Sequence, residues 1–380
     1  MSSTDLEQPD EMNNGCTPLP FVSLLLPVRN GAEFIDGCLE RVADLDYPSH
    51  RLEVLIIDGN SEDESALVAA RALRRHGLVG SVLNNPGRSI ASNLNAGLAI
   101  AVGSIVSRID VKTRIPRHYL RTAVELLNDP RRSMVGGGIV AAPSATNSMA
   151  RGIARAHNNP VVMGGASYRL RQGAGFAETV YLGTATTSEL VRIGGWSEDL
   201  SMNEDYDLCQ RLGASDSVWF DDRLTAEWLA PSRASAIVPR YRGFGRSKVK
   251  YWRKRVQSPS PRQQAILAAA TATGVAATAS LWWLPMGQVI GGSVTAAATT
   301  LLAIEGRFSP DDTAPLGDRL ISGLVIAPLI GYGWLSGIAL EAIKARVKSP
   351  DMPEVGRPDV DLVDNSGSTA PPQVVDHRVG

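Results

Sequence analysis

Between Phe21 and Ile109, short apolar runs alternate with helix-patterned segments, and this alternation restricts the fold more than any other feature of the sequence. Phe-Val-Ser-Leu-Leu-Leu-Pro-Val from position 21 and Leu-Glu-Val-Leu-Ile-Ile-Asp at 52–58 are short, nearly continuous apolar runs, which predict buried strands. Residues 33–43 have helical spacing, and Ser61 with Glu64 has the form of a capping box opening a helix through Arg74. A third strand is expected near 81–83, a helix over about 89–101 and a fourth strand over 105–109. Strand and helix at this spacing predict a parallel α/β sheet wound by right-handed crossovers. Ligands of such sheets sit beyond the carboxyl ends of the strands. Residues 27–30, 58–63 and Asp110 with its neighbours are therefore the first places to look for chemistry.

Further along, the glycine run 136–138 feeds an apolar stretch at 139–142, and the polar, Gly-rich section to about 175 carries no assignable pattern. Residues 181–196 and a helix starting near Glu204 read as a compact unit, and 218–228 as a final strand pair. With 380 residues, 44% apolar and 20% charged, the chain has room for one α/β domain plus an appendage of different character, and is neither disordered nor fibrous.

The appendage begins after Arg262. Residues 265–304 contain no charged side chain over about two bilayer-spanning lengths and are interrupted at Pro285-Met286-Gly287, which predicts helices at 265–284 and 286–304. A third uncharged segment, 320–340, is broken by Pro328, Gly331, Gly333 and Gly337. A buried helical domain and a membrane region both fit this composition. Nine Lys or Arg and no acid over 240–262 favour the membrane, at its cytoplasmic surface, with Trp252 as an interface anchor. A third span would carry Lys344, Arg346 and Lys348 outward, against the positive-inside tendency, so 320–340 is expected to be re-entrant or interfacial. The organisation expected is a disordered leader (1–20), a catalytic domain (21–240), a basic juxtamembrane segment (241–264), a transmembrane region (265–343) and a disordered tail (344–380). A net charge of -1 gives no pull toward nucleic acid. Cys16, Cys38 and Cys209 are scattered and odd in number, which fits a reducing setting better than a disulfide framework.

Phosphate-binding Gly-x-x-x-x-Gly-Lys, Gly-x-Gly-x-x-Gly after a strand, His-Glu-x-x-His and Gly-x-Ser-x-Gly are all absent from the sequence. Carboxylates at strand ends and helix starts remain. Asp58 can accept hydrogen bonds from a base or ribose, with Gly59 allowing close approach, whereas Ser61 reads as a helix cap. Arg108, Asp110 and Lys112 alternate with Ile109 and Val111, so a period of two puts all three on one face. They form either a buried structural trio or a diphosphate site in which Asp110 holds a divalent metal. Glu204 and Asp205 are either ordinary helix-start acids or, with Gly194-Gly195-Trp196 upstream, part of an acceptor pocket with an aromatic wall and a carboxylate base.

In chain order these parts are Leu-Leu-Leu-Pro-Val-Arg-Asn, Ile-Ile-Asp-Gly-Asn-Ser-Glu-Asp, Leu-Asn-Ala-Gly-Leu-Ala-Ile-Ala-Val-Gly, Ser-Arg-Ile-Asp-Val-Lys, Ile-Gly-Gly-Trp-Ser-Glu-Asp-Leu and Asn-Glu-Asp-Tyr-Asp-Leu-Cys-Gln-Arg-Leu. Six motifs in this order, over about 21–251, resemble the family 2 glycosyltransferases of GT-A type, and most of all the membrane-attached, succinoglycan-type exopolysaccharide enzymes. The resemblance implies a Rossmann-like GT-A domain followed by C-terminal transmembrane helices. It implies that Pro27, Arg29, Asn30 and Asp58 line a nucleotide pocket whose walls and loops Asp63 and Asn95 hold. Arg108, Asp110 and Lys112 would meet the diphospho-sugar, Asp110 being the first residue of an Asp-x-Asp motif that binds Mg²⁺ or Mn²⁺. Asp205, beside Glu204, would be the base in an inverting transfer, and Trp196 would face the acceptor.

Two departures qualify the match. Lys112 stands where the motif has a second Asp, removing a metal ligand and adding a positive charge that, with Arg108, is a candidate for neutralising the leaving diphosphate. The Gln-x-x-Arg-Trp signature of processive synthases is replaced by Arg240-Tyr-Arg-Gly-Phe-Gly-Arg246, which favours single-sugar transfer, with Arg242 and Arg246 meeting the diphosphate, an anionic lipid carrier or the membrane surface. The function expected is transfer from a nucleotide-sugar, with uridine the usual base, to a lipid-linked glycan at the cytoplasmic side of the cell membrane. The alternatives are transfer to polyprenyl phosphate and a non-catalytic membrane scaffold.

Overall fold

Val22, Leu24, Leu26 and Val28 of β1 (Val22–Val28) point to one side of a sheet and Leu25 to the other, and every residue of the strand is buried. So apolar a run needs cover on both faces, and here a core lies on each side of the sheet. The computed structural model describes residues 18–347 apart from 165–166, 171, 214–215, 262, 269–270, 272–298, 302 and 309–312. Most of the expected leader and tail, and the middle of the expected hairpin at 265–304, lie outside the described residues.

The first half follows the expected alternation: α1 (Ala32–Ala43), β2 (Leu52–Asp58), α2 (Ser65–Arg75), β3 (Gly80–Asn84), α3 (Ile90–Ile100) and β4 (Ile105–Arg108). The capping box does not form. Ser61 Oγ donates to Asp58 and accepts from Asn30 N–H, and α2 starts four residues later, where Ser65 N–H donates to Asp63 at 3.0 Å. After β5 (Thr113–Arg114) and α4 (Tyr119–Leu127), the Gly-rich section contributes β6 (Met134–Gly137), β7 (Ile139–Pro143), α5 (Ser148–Asn158), α6 (Ser167–Leu170) and β8 (Ala174–Phe176). Then come β9 (Tyr181–Thr186), α7 (Thr187–Arg192), α8 (Glu204–Arg211), β10 (Val218–Asp221), β11 (Ala226–Ala230) and α9 (Ile237–Arg255).

The main sheet has the order β3-β2-β1-β4-β9-β6-β10-β8. It is parallel from β3 to β4, as expected, but β9 lies antiparallel between β4 and β6, and β8 is antiparallel to β10. The parallel expectation rested on apolarity, which reports burial on both faces and not strand direction. The expected strand pair at 218–228 also divides. A 3-10 turn at Asp222–Leu224, held by Asp221 accepting from Arg223 N–H at 3.1 Å, sends β10 into the main sheet and β11 into a small sheet of order β5-β11-β7.

One core lies between the sheet and α1, α2 and α4, and a second between its other face and α3, α7 and α8. A third packs β7, β11, α5 and α9 against the C-terminal helix through Trp228, Tyr241, Ile326 and Ile330. Cys38 and Cys209 are buried free thiols.

Residues 320–340 are not broken by their glycines and proline. A π-helical turn, Ile321–Ile326, leads directly into the helix Ala327–Val347, placing the slack of a wider turn just ahead of Pro328. Leu316–Ala345 is a 30-residue helical stretch containing an 18-residue window of mean hydropathy 1.7, long and apolar enough to cross a membrane. One side of it packs lengthwise on α9, and Leu324, Tyr332, Leu340 and Ile343 are exposed. α9 runs unbroken through the expected domain boundary at 240/241 and buries Ile237, Tyr241, Val249 and Tyr251. Ion pairs Arg151–Asp318 and Arg155–Glu305 tie α5 to the segment preceding the C-terminal helix.

Gly337 permits the contact with α9, since a Cβ there would stand 2.2 Å from the Arg242 carbonyl oxygen. Gly337→Val should therefore destabilise the protein by about 1–3 kcal/mol through overpacking. Gly331→Ala, with nothing within 4 Å of the added carbon, should be neutral or stabilising by up to about 1 kcal/mol. Thermal unfolding of the two variants in one detergent tests the contrast, and equal midpoints would refute it.

Candidate active site

The chain winds from β1 through β2 to β3 in one direction and then returns to place β4 on the other side of β1. Such a reversal opens a crevice at the carboxyl ends of β1 and β4. The loop after β1 and the segment after β4 meet there, with a Cβ on Gly31 lying 3.4 Å from Val111.

Hydrogen bonds join the loops after β1 and β2. Asn30, with φ of 49°, donates its N–H to Ser61 Oγ at 2.9 Å and accepts Glu62 N–H on Oδ1 at 2.8 Å. Asp63 accepts from Ala32 N–H at 3.2 Å, and its hydrogen bond from the Ser65 hydroxyl holds its carboxyl below the usual carboxylate range. Asp58 is buried and its oxygens accept from Ser61, so the carboxylate shapes this loop from beneath. Pro27 is buried within β1, and Arg29 is exposed at its end.

Asn95 serves a different loop. Its amide accepts Trp196 N–H at 2.8 Å and donates to Trp196 O at 2.9 Å and Glu198 Oε1 at 2.8 Å, fixing the Gly-Gly-Trp-Ser turn. Gly195 there has φ of 65°, and a Cβ would fall 2.3 Å from Asn95 Oδ1. Trp196 is 3% exposed and belongs to the second core, so it is no open acceptor wall. With Arg108, Leu208, Cys209 and Asp205 it lines a cavity of about 10 Å³.

The expectation that Arg108, Asp110 and Lys112 share one face does not hold, because β4 ends at Arg108 and the chain leaves the strand's period of two. Arg108 is buried. Its Nε donates to Asp110 Oδ1 at 2.9 Å, Nη2 to Asp110 Oδ2 at 3.3 Å and Nη1 to Glu204 Oε1 at 3.0 Å. Burial opposes its charge, but Asp110, Glu204 and Asp205 outweigh that effect and raise its pKa. Burial pushes the Glu204 carboxyl upward, opposed by Arg108 and reinforced by Asp205. Asp205 is the second residue of α8, which starts after Asn203, whose φ of 65° turns the chain, and it accepts Tyr206 N–H at 2.7 Å. One guanidinium thus joins the end of β4 to the start of α8, and sets Asp110, Glu204 and Asp205 around itself.

Lys112 stands apart from this ion-paired group, with its Nζ 4.4 Å from the centroid of Phe34 in the first turn of α1. Burial lowers its pKa, with Glu33 opposing and Arg240 adding to the effect. Arg240 itself lies over Trp228 and Phe244, at 4.7 and 5.5 Å from their centroids. Arg242 and Arg246, expected at the diphosphate, an anionic lipid carrier or the membrane surface, both lie on α9. Arg242 Nε donates to Ser336 Oγ on the C-terminal helix at 3.3 Å, and Arg246 is exposed on α9. Arg240 comes near the end of β4 because Trp228 beneath it belongs to β11, whose Leu229 N–H donates to Lys112 O at 2.8 Å, a link that no local sequence pattern reports.

Asp110 does not fit a divalent ion as it stands. Both its oxygens are hydrogen-bonded to a cation, and among the described residues no three His, Cys, Asp or Glu converge to hold a metal.

Residues 23–181 match the glycosyl transferase family 2 profile. The chain is 27% identical over 265 residues to the succinoglycan biosynthesis protein ExoA of Rhizobium meliloti, an alignment covering 69% of this chain and 79% of that protein. It is 26% identical over 223 residues to the beta-monoglucosyldiacylglycerol synthase of Synechocystis sp., covering 56% of this chain and 44% of the synthase. Among solved structures it is similar to the mannosyltransferase PcManGT from Pyrobaculum calidifontis in complex with GDP-Man and Mn²⁺, with a TM-score of 0.49, 21% identity and 87% coverage of each chain.

Proposed function

From a chain whose residues 23–181 are a family 2 glycosyltransferase domain of α/β GT-A fold, and which is therefore a glycosyltransferase, we propose a specific activity. The enzyme moves a single sugar, with inversion, from a nucleotide-sugar to a hydroxyl of a lipid-linked glycan in exopolysaccharide or cell-envelope polysaccharide synthesis. The observation that carries this reading is Arg108, which draws Asp110 at the donor crevice and Glu204 beside Asp205 into one ion-paired unit. The donor's diphosphate occupies the crevice between β1 and β4, with its nucleoside toward Asn30 and Asp58. Asp205 takes the proton of the acceptor hydroxyl as its oxygen attacks the anomeric carbon from the face opposite the diphosphate. Likeness to ExoA supports the polysaccharide assignment, and likeness to a glycolipid synthase supports a lipid-borne acceptor.

The catalytic domain works at the cytoplasmic face of the cell membrane. The apolar Leu316–Ala345 stretch with its exposed side, and the run of nine Lys and Arg over 240–262, support that location. Washed membranes containing the full chain, offered a panel of nucleotide-sugars, should release nucleoside diphosphate from one of them. Release no greater than that of Asp205→Asn membranes with every donor would overturn the proposal.

A further inference from the structure

A nucleoside diphosphate brings several negative charges into the β1–β4 crevice, and positive charge has to face them as the sugar leaves. A carboxylate at the end of β4 is a natural seat for a divalent ion that bridges to phosphate. Here that seat is taken. Both oxygens of Asp110 accept from Arg108, whose third arm is fixed on Glu204, and the guanidinium side chain is only 8% exposed. Its charge cannot be shed, since a guanidinium stays protonated in proteins. A dication on Asp110 would share oxygens that already accept from Arg108 and sit beside its guanidinium, cation against cation.

Positive charge is present a few residues further on. Lys112 stands beyond the carboxyl end of β4, over Phe34 at the start of α1. Arg240 reaches the same region from α9, stacked on Trp228 and Phe244; Trp228 belongs to β11, which is tied to the segment after β4 by Leu229 N–H donating to Lys112 O at 2.8 Å. Two cations mounted on aromatic rings beside a ligand crevice suit a diphosphate, because the rings hold the charges in place without neutralising them.

Resting on the donor reading above, we infer that this transferase takes its nucleotide without a divalent metal. Arg108 occupies Asp110, and the pair Lys112 and Arg240 faces the diphosphate.

The test is calorimetric titration of UDP and GDP into the full chain in detergent, in excess EDTA and in excess Mn²⁺. The affinity of whichever nucleotide binds should agree within about twofold between the two conditions. Lys112→Met and Arg240→Met should each weaken binding of that diphosphate about tenfold, while leaving binding of the corresponding nucleoside unchanged. Tightening by Mn²⁺ of about tenfold or more would overturn the metal-free reading alone. Unchanged diphosphate affinity in either variant would overturn the assignment of that cation. Binding of neither nucleotide in any condition would bring down the donor reading, and this inference with it.

Discussion

Asp205→Asn should lower turnover by about a hundredfold to ten-thousandfold, the usual worth of a positioned general base. The substitution is mild for the fold. Asp205 accepts the Tyr206 N–H through one oxygen at 2.7 Å, and the asparagine carbonyl can accept the same bond. Basicity is what is lost. Arg108, Asp110 and Glu204 keep their hydrogen bonds, so affinity for the donor nucleotide should stay within about twofold. The loss should therefore fall on kcat and on kcat/KM for the acceptor alike, as expected for an interaction made only in the transition state. The variant also separates two acceptors. A hydroxyl must lose a proton as it attacks, whereas the anionic oxygen of polyprenyl phosphate has none to lose. Comparable turnover of Asp205→Asn and the natural protein, measured with equal donor saturation, would exclude Asp205 as a base and favour a phosphate acceptor.

What the sequence disclosed about this site follows from how far each signal reaches along the chain. β1 and β2 were legible because consecutive apolar residues report their own burial, and the start of α8 because acids gather at a helix N-terminus. Asp58, Asp110 and Asp205 could thus be picked out as strand-end and helix-start acids. Their partners could not. Arg108 meets Glu204 across 96 positions, and no periodicity encodes such a pairing. Lys112 leaves the face that a period of two predicts, because β4 ends at Arg108. Gly333 and Gly337 read as helix breakers, when their lack of side chains admits the backbone of α9. In each of these cases the local rule was sound, and a tertiary contact decided how it applied.

The other large effect lies two residues beyond Asp205. Asp207 is fully buried, and its carboxylate accepts from Ser197 Oγ at 2.6 Å, Arg211 Nε at 2.8 Å and Arg255 Nε at 2.7 Å. Arg211 also donates to the carbonyls of Ile193 and Gly195, at 2.8 and 2.6 Å. One acid therefore fastens the Gly-Gly-Trp-Ser turn, α8 and the end of α9 together. Asp207→Ala strands two arginines, and breaking a buried pair in this way costs about 3–5 kcal/mol. The lower end applies, because the Arg255 side chain is 29% exposed and can recover water. A loss of about 3 kcal/mol should lower Tm by roughly 6–12 °C. Burial works against ionisation of Asp207, but hydrogen bonds from Ser197, Arg255 and Arg211 prevail and hold its pKa below the usual carboxylate value. The folded pKa is depressed, so the stabilisation is fully present above the unfolded value of about 4 and is lost as pH falls through the folded one. Denaturant unfolding should accordingly show the largest gap between variant and natural protein at neutral pH, narrowing below about pH 4. A gap under about 1 kcal/mol at neutral pH would mean that Arg211 and Arg255 find other acceptors. α9 would then not be held to α8 through this carboxylate, and Arg240 at its far end would be positioned by the C-terminal helix instead.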